Sequence, residues 1–74
     1  MTPATGSLAR LVHMANQIAR NLEIEPGADA ATARHITDFW DPRMKRSILA
    51  HVAAGGEGLS PVARAAIDRI AASA

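Results

Sequence analysis

An all-α fold, a small irregular bundle of four short helices, is what this sequence predicts. Three observations lead there. Apolar residues recur with the 3.6-residue period of a helix in four segments. Each segment opens on a residue type that caps helices, and two of those caps are followed directly by Pro. No stretch alternates with a period of two over enough residues to make a strand.

The first helix is expected over about 8–22. Ser7 is its cap, and Leu8, Leu11, Val12, Ala15, Ile18, Ala19 and Leu22 make its apolar stripe. Arg10, His13, Gln17 and Arg20 fall on the other side. Glu25-Pro26-Gly27 breaks the pattern, because a residue before Pro is pushed out of the helical region. A second helix is expected over about 30–40, with Asp29 as its N-cap. Ala33, Ile36, Phe39 and Trp40 would share its inner face, and Arg34 and Asp38 would pair on the outer one.

Asp41-Pro42 restarts the chain as a third helix over about 42–54, with Asp41 the cap and Pro42 in the first turn. Met44, Ile48, Leu49 and Val52 form its inward stripe, and Lys45, inside that arc, must snorkel. Gly55-Gly56-Glu57-Gly58 is expected to be a flexible connector that also permits a left-handed C-cap. Ser60-Pro61 then opens a fourth helix over about 61–72. Val62, Ala63, Ala66, Ile67 and Ile70 line one side, and Arg64 and Asp68 pair on the other. Residues 1–7 and 73–74 are left as tails around a single helical domain, 8–72.

The 74 residues suffice for one domain, and one with little to bury. Phe39 and Trp40 are the only large aromatics, so Ala does much of the apolar work. There is no cysteine, which removes disulfides, thiolate metal sites and a Cys nucleophile. Residues 1–7 carry neither a basic nor an apolar run, so no signal peptide is expected. No apolar run approaches the roughly 20 residues of a membrane span, which makes the cytoplasm the expected location. A net charge of +1 gives no bulk attraction to nucleic acid or anionic membranes.

Catalytic chemistry finds few supports. His13, His35 and His51 lie too far apart for the helical i,i+3 or i,i+4 pairing of a metal site. The Gly-rich run has neither a preceding strand nor a following Lys-Ser/Thr, so it fails as a phosphate loop. The acids are scattered, and Asp29 and Asp41 are taken as caps. No catalytic residue, bound cofactor or metal is therefore expected on this chain.

The informative stretch is the corner around Phe39 and Trp40. A purely structural reading makes Phe39 a core residue, leaves Trp40 half buried, and treats Arg43 and Arg46 as a solvated face. A functional reading makes Phe39, Trp40, Asp41, Pro42, Arg43, Met44 and Arg46 a partner-docking corner, since Trp and Arg often dominate interfaces.

Two strings give the chain a family likeness: Leu11-Val12-His13-Met14-Ala15-Asn16-Gln17-Ile18-Ala19, and His35-Ile36-Thr37-Asp38-Phe39-Trp40-Asp41-Pro42-Arg43-Met44. Leu49-Ala50-His51 and Gly55-Gly56-Glu57-Gly58-Leu59-Ser60-Pro61 follow in order. Together, over about 8–68, they resemble the delta subunit of cytoplasmic NAD-dependent formate dehydrogenases, the molybdenum- or tungsten-containing multisubunit enzymes. The resemblance implies a non-catalytic subunit that supports assembly, stability or molybdenum-cofactor handling. Its implied partners are the catalytic alpha subunit and the other subunits of the complex. Those chains would carry the bis-molybdopterin guanine dinucleotide, iron–sulfur clusters, FMN and NAD site. Two rivals from other classes are a small helical DNA-binding module and a self-associating homodimer. The first would need a concentrated basic face.

Overall fold

The computed structural model describes residues 7–73. The expected tails, apart from Ser7 and Ser73, lie outside them. Four helices account for most of the described chain: α1 (Leu8–Leu22), α2 (Ala28–Phe39), α3 (Pro42–Ala53) and α4 (Pro61–Ser73), with no strand among the described residues. The radius of gyration of 11.2 Å equals the ~11 Å expected of a compact chain this long, so all four helices close on one core.

The helix ends follow from local chemistry at three of the four starts. The Ser7 hydroxyl accepts from the Arg10 N–H at 3.3 Å, the Asp41 carboxylate from the Met44 N–H at 2.9 Å, and the Ser60 hydroxyl from the Ala63 N–H at 3.3 Å. The start of α2 differs from expectation. Gly27, at φ +73°, turns the chain into the helix two residues early, and no side chain caps it. Asp29 is therefore not the N-cap. It sits in the first turn, and its carboxylate accepts from Arg69 Nε of α4 at 2.6 Å. An acid in a first turn still suits the helix dipole.

The core takes one large aliphatic side chain from each helix: Leu11, Ile36, Ile48 and Ile67, all without solvent exposure. Ala15, Ala19, Ala63 and Ala66 fill between them and let the backbones approach, and α2 packs most extensively on α4. Thr32 is buried with them, and its hydroxyl finds no hydrogen-bond partner among the described residues. Such an orphan costs on the order of 1–3 kcal/mol. This is a thin core.

Side chains from three helices fasten the connector between α3 and α4. α3 ends in a Schellman motif: the Gly56 N–H donates to the His51 carbonyl at 2.9 Å and the Gly55 N–H to the Val52 carbonyl at 3.0 Å. Asn16 Nδ2 of α1 donates to the Gly58 carbonyl at 2.8 Å, while its Oδ1 accepts from the Ser60 N–H at 2.8 Å. His51 Nε2 lies 2.7 Å from the Glu57 carbonyl, and since a carbonyl only accepts, Nε2 carries the proton. Arg64 Nη1 donates to the Gly55 carbonyl at 3.0 Å. The run expected to be a flexible connector is a tied loop. Arg64 is spent on it, and no Arg64–Asp68 ion pair forms, whereas Arg34 and Asp38 do pair, at 3.7 Å. Gly58 favours glycine through its backbone, since φ is +87°; a Cβ there would meet Val12 Cγ1 at 3.4 Å, an ordinary contact.

Two outcomes follow. Asn16→Ala, which removes two hydrogen bonds linking α1 to the loop, should cost about 1–3 kcal/mol at roughly 0.5–1.5 each. Thermal melting by circular dichroism reads it, and an unchanged melting temperature would remove the clamp from the account. The second concerns acid. The hydrogen bond from Arg69 holds the Asp29 carboxyl below its ordinary 3.8. A depressed carboxylate stabilises the fold above its unfolded value, and that contribution is lost as pH falls through the lowered one. Arg69→Gln should therefore flatten the fall of melting temperature below about pH 4.

Candidate functional site

The corner between α2 and α3 is built by one change of backbone direction. α2 stops at Phe39, and Trp40 leaves it extended, at φ −85° and ψ 139°, ahead of Asp41-Pro42. Adjacent residues of a helix point about 100° apart, whereas residues four apart share a face, so Trp40 follows Ile36 inward and Phe39 does not. Trp40 turns into the core at 5% exposure, while Phe39 is left 73% exposed. The expected core Phe and half-buried Trp are thus reversed, and Phe39 does not share the inner face with Ala33 and Ile36.

Phe39 stands on the rim of an open groove of about 380 Å³ between α1 and α2. His13, Met14, Gln17 and Ile18 form the α1 wall; His35, Phe39, Trp40 and, from α3, Met44 form the other. The His35 and Phe39 rings lie 4.7 Å apart between centroids, tilted by 40°, which steadies the exposed aromatic. The lining is mostly apolar, with polar atoms supplied by two imidazoles, an amide and the indole N–H. Sequence reasoning placed Phe39, Trp40 and Met44 here. It did not place the other five here: Ile18 was read into the inward stripe of the first helix, His13 and Gln17 onto its polar side, and Met14 and His35 onto no face. The signal available was that all eight lining residues belong to the two strings that carry the family likeness.

The basic part of the corner follows Trp40 along the chain but lines a separate surface. Asp41, Pro42, Arg43 and Arg46 line a shallow hollow of their own, with both arginines exposed. Lys45 does snorkel: its Nζ reaches the Thr37 carbonyl in the last turn of α2 at 3.2 Å, where a cation suits the helix end. Among the described residues, four of the eight Lys and Arg are engaged within the chain, namely Arg34, Lys45, Arg64 and Arg69. Arg10 and Arg20 stand apart on α1, so the free cations make no continuous basic face. A wider cleft between α2 and α4 is flanked by Arg34, Lys45 and Arg69, but those are the cations already engaged.

The donors present do not suit a metal ion or a metal cluster. The chain has no cysteine for a cluster, and among the described residues no three His, Asp or Glu side chains gather where they could hold a metal ion. No described helix is long and apolar enough to cross a membrane.

The two aromatics at the corner separate by stability. Trp40→Ala should cost about 3–5 kcal/mol, the range for large-to-small changes in a core. Phe39→Ser should stay within about 0.5 kcal/mol, as surface changes do. Urea unfolding of both variants decides it, and a large loss for Phe39→Ser would mean that the ring supports the fold.

Comparison with known proteins completes the description of the site. Residues 10–67 match the family model of the NADH-dependent formate dehydrogenase delta subunit FdsD. That span covers most of the 74 residues and contains the whole groove, the basic corner and the tied loop. No curated protein and no solved structure matches the chain. The chain belongs to the formate dehydrogenase delta-subunit family.

Proposed function

We propose that this delta subunit is a non-catalytic accessory chain that docks on the catalytic alpha subunit of a cytoplasmic NAD-dependent formate dehydrogenase and supports its assembly or stability. In this reading the redox groups belong to the partner subunits: bis-molybdopterin guanine dinucleotide with Mo or W, iron–sulfur clusters, FMN and the NAD site. Handling of the molybdenum cofactor would be a consequence of docking rather than of a pocket on this chain.

One observation carries the reading. A chain with two large aromatics and a thin core leaves one of them, Phe39, mostly in water beside an apolar groove. Burying an aromatic is among the largest gains open to a small protein. Its exposure is therefore a local loss, which docking recovers. Isolated exposed apolar residues are ordinary. Here the ring continues into a groove whose every lining residue lies in the family-matched segment. A nucleic-acid role has less support, because four of the eight cations are already engaged and the rest are dispersed.

The test is co-purification with the formate dehydrogenase subunits, together with formate-dependent NAD reduction by the complex. Arg43→Glu with Arg46→Glu should leave helicity unchanged, because neither side chain has a partner among the described residues. It should weaken association by about 2–5 kcal/mol, mainly through faster dissociation. Asp41→Asn is the control, since Asn caps a helix about as well as Asp. Full complex yield and activity from the double Arg variant would remove this corner from the interface.

A further inference from the structure

The first turn of α3 breaks an electrostatic rule. The N-terminal end of a helix carries partial positive charge and favours acids. α3 has no acid in its first turn, only the Asp41 cap ahead of it, and Arg43, Lys45 and Arg46 crowd its first five residues. The fold answers one of these charges: Lys45 reaches back to the C-terminal turn of α2. Arg43 and Arg46 have no partner among the described residues and are exposed. Two unanswered cations at a positive helix end are unfavourable in the isolated chain, and an acid supplied from outside would relieve them.

The groove lined by their chain neighbours Trp40 and Met44 limits what that acid is attached to. Its long walls are the sides of α1 and α2, whose backbone groups are spent on their own turns, so no sheet edge is available for an added strand. The polar atoms on its lining are few. An occupant that buries its apolar side there must satisfy its own backbone, and an α-helix does so.

Resting on the docking role above, we infer that the groove takes an amphipathic helix of the partner subunit, with its apolar stripe over Phe39, Met14 and Ile18. One or more Asp or Glu side chains at the end nearest α3 pair with Arg43 and Arg46. A second copy of this chain fits less well, because it would bring the same unpaired cations into the seam rather than acids.

The experiment uses the whole chain within the complex. Phe39 is replaced by the photo-crosslinking p-benzoylphenylalanine, the complex is purified and irradiated, and the joined peptides are identified by mass spectrometry. The expected result is a cross-link to one segment of a partner subunit with apolar residues at i, i+3, i+4 and i+7 and an acid at one end. Reversing that acid to Arg should then restore at least tenfold of the affinity lost by Arg43→Glu with Arg46→Glu. A cross-link to a second copy, to a loop without acids, or to nothing while the complex still forms would each overturn the inference and leave the accessory role standing. Failure of the rescue by charge reversal would overturn the pairing as well. If the unaltered chain does not co-purify with the complex at all, the accessory role itself falls.

Discussion

Asn16 holds the bundle closed by satisfying two backbone groups at once, the Gly58 carbonyl and the Ser60 N–H, 42 and 44 residues further along. The Ser60 bond matters because Ser60 caps α4. By fixing the cap, α1 sets where α4 begins and so where Ala63, Ala66 and Ile67 meet the core. His51 and Arg64 hold the same loop from α3 and α4. With only one large aliphatic side chain per helix in the core, apolar burial alone leaves little margin at this size. Directional bonds from three helices to one short loop supply the geometry that a larger core would have imposed by shape.

What was legible in the sequence was mostly local. Periodicity placed the four helices, and Ser7, Asp41 and Ser60 act as caps because a cap needs only its own next three residues. The readings that failed depend on residues far along the chain. Asp29 was read as a cap, but Arg69, forty positions away, takes its carboxylate, and Gly27 starts the helix without it. Arg64 was given to Asp68 one turn on, but the Gly55 carbonyl takes it. The Gly-rich run looked flexible because glycine is permissive, and nothing local shows that three side chains fasten its carbonyls. At the site, the corner was visible as a cluster of Trp, Phe and Arg. The reversal of Phe39 and Trp40 was not, since both carry apolar rings and only the packing of α1 and α4 on α2 decides which of two adjacent positions is covered. His13 and His35 were separated by 22 positions and come together only once α1 and α2 fold against each other.

Two parts of the family likeness thus have different physical explanations. Asn16, His51 and the Gly-rich string make the clamp, and they belong to folding. The corner string and the polar side of the first string make the groove, where local preferences are violated: an aromatic left in water, and cations at a positive helix end. A chain whose parts otherwise agree with its fold is expected to break such rules where it meets something else.

Trp40 floors the groove and is the only indole in the chain. Any occupant that covers Phe39 and Met44 changes the polarity just above that ring. The emission of the free subunit therefore comes from a single fluorophore at the place of interest, with no tyrosine to mask it. The protein carries its own optical probe of occupancy, so the groove can be followed in dilute solution without attaching a dye to a surface that a label would block.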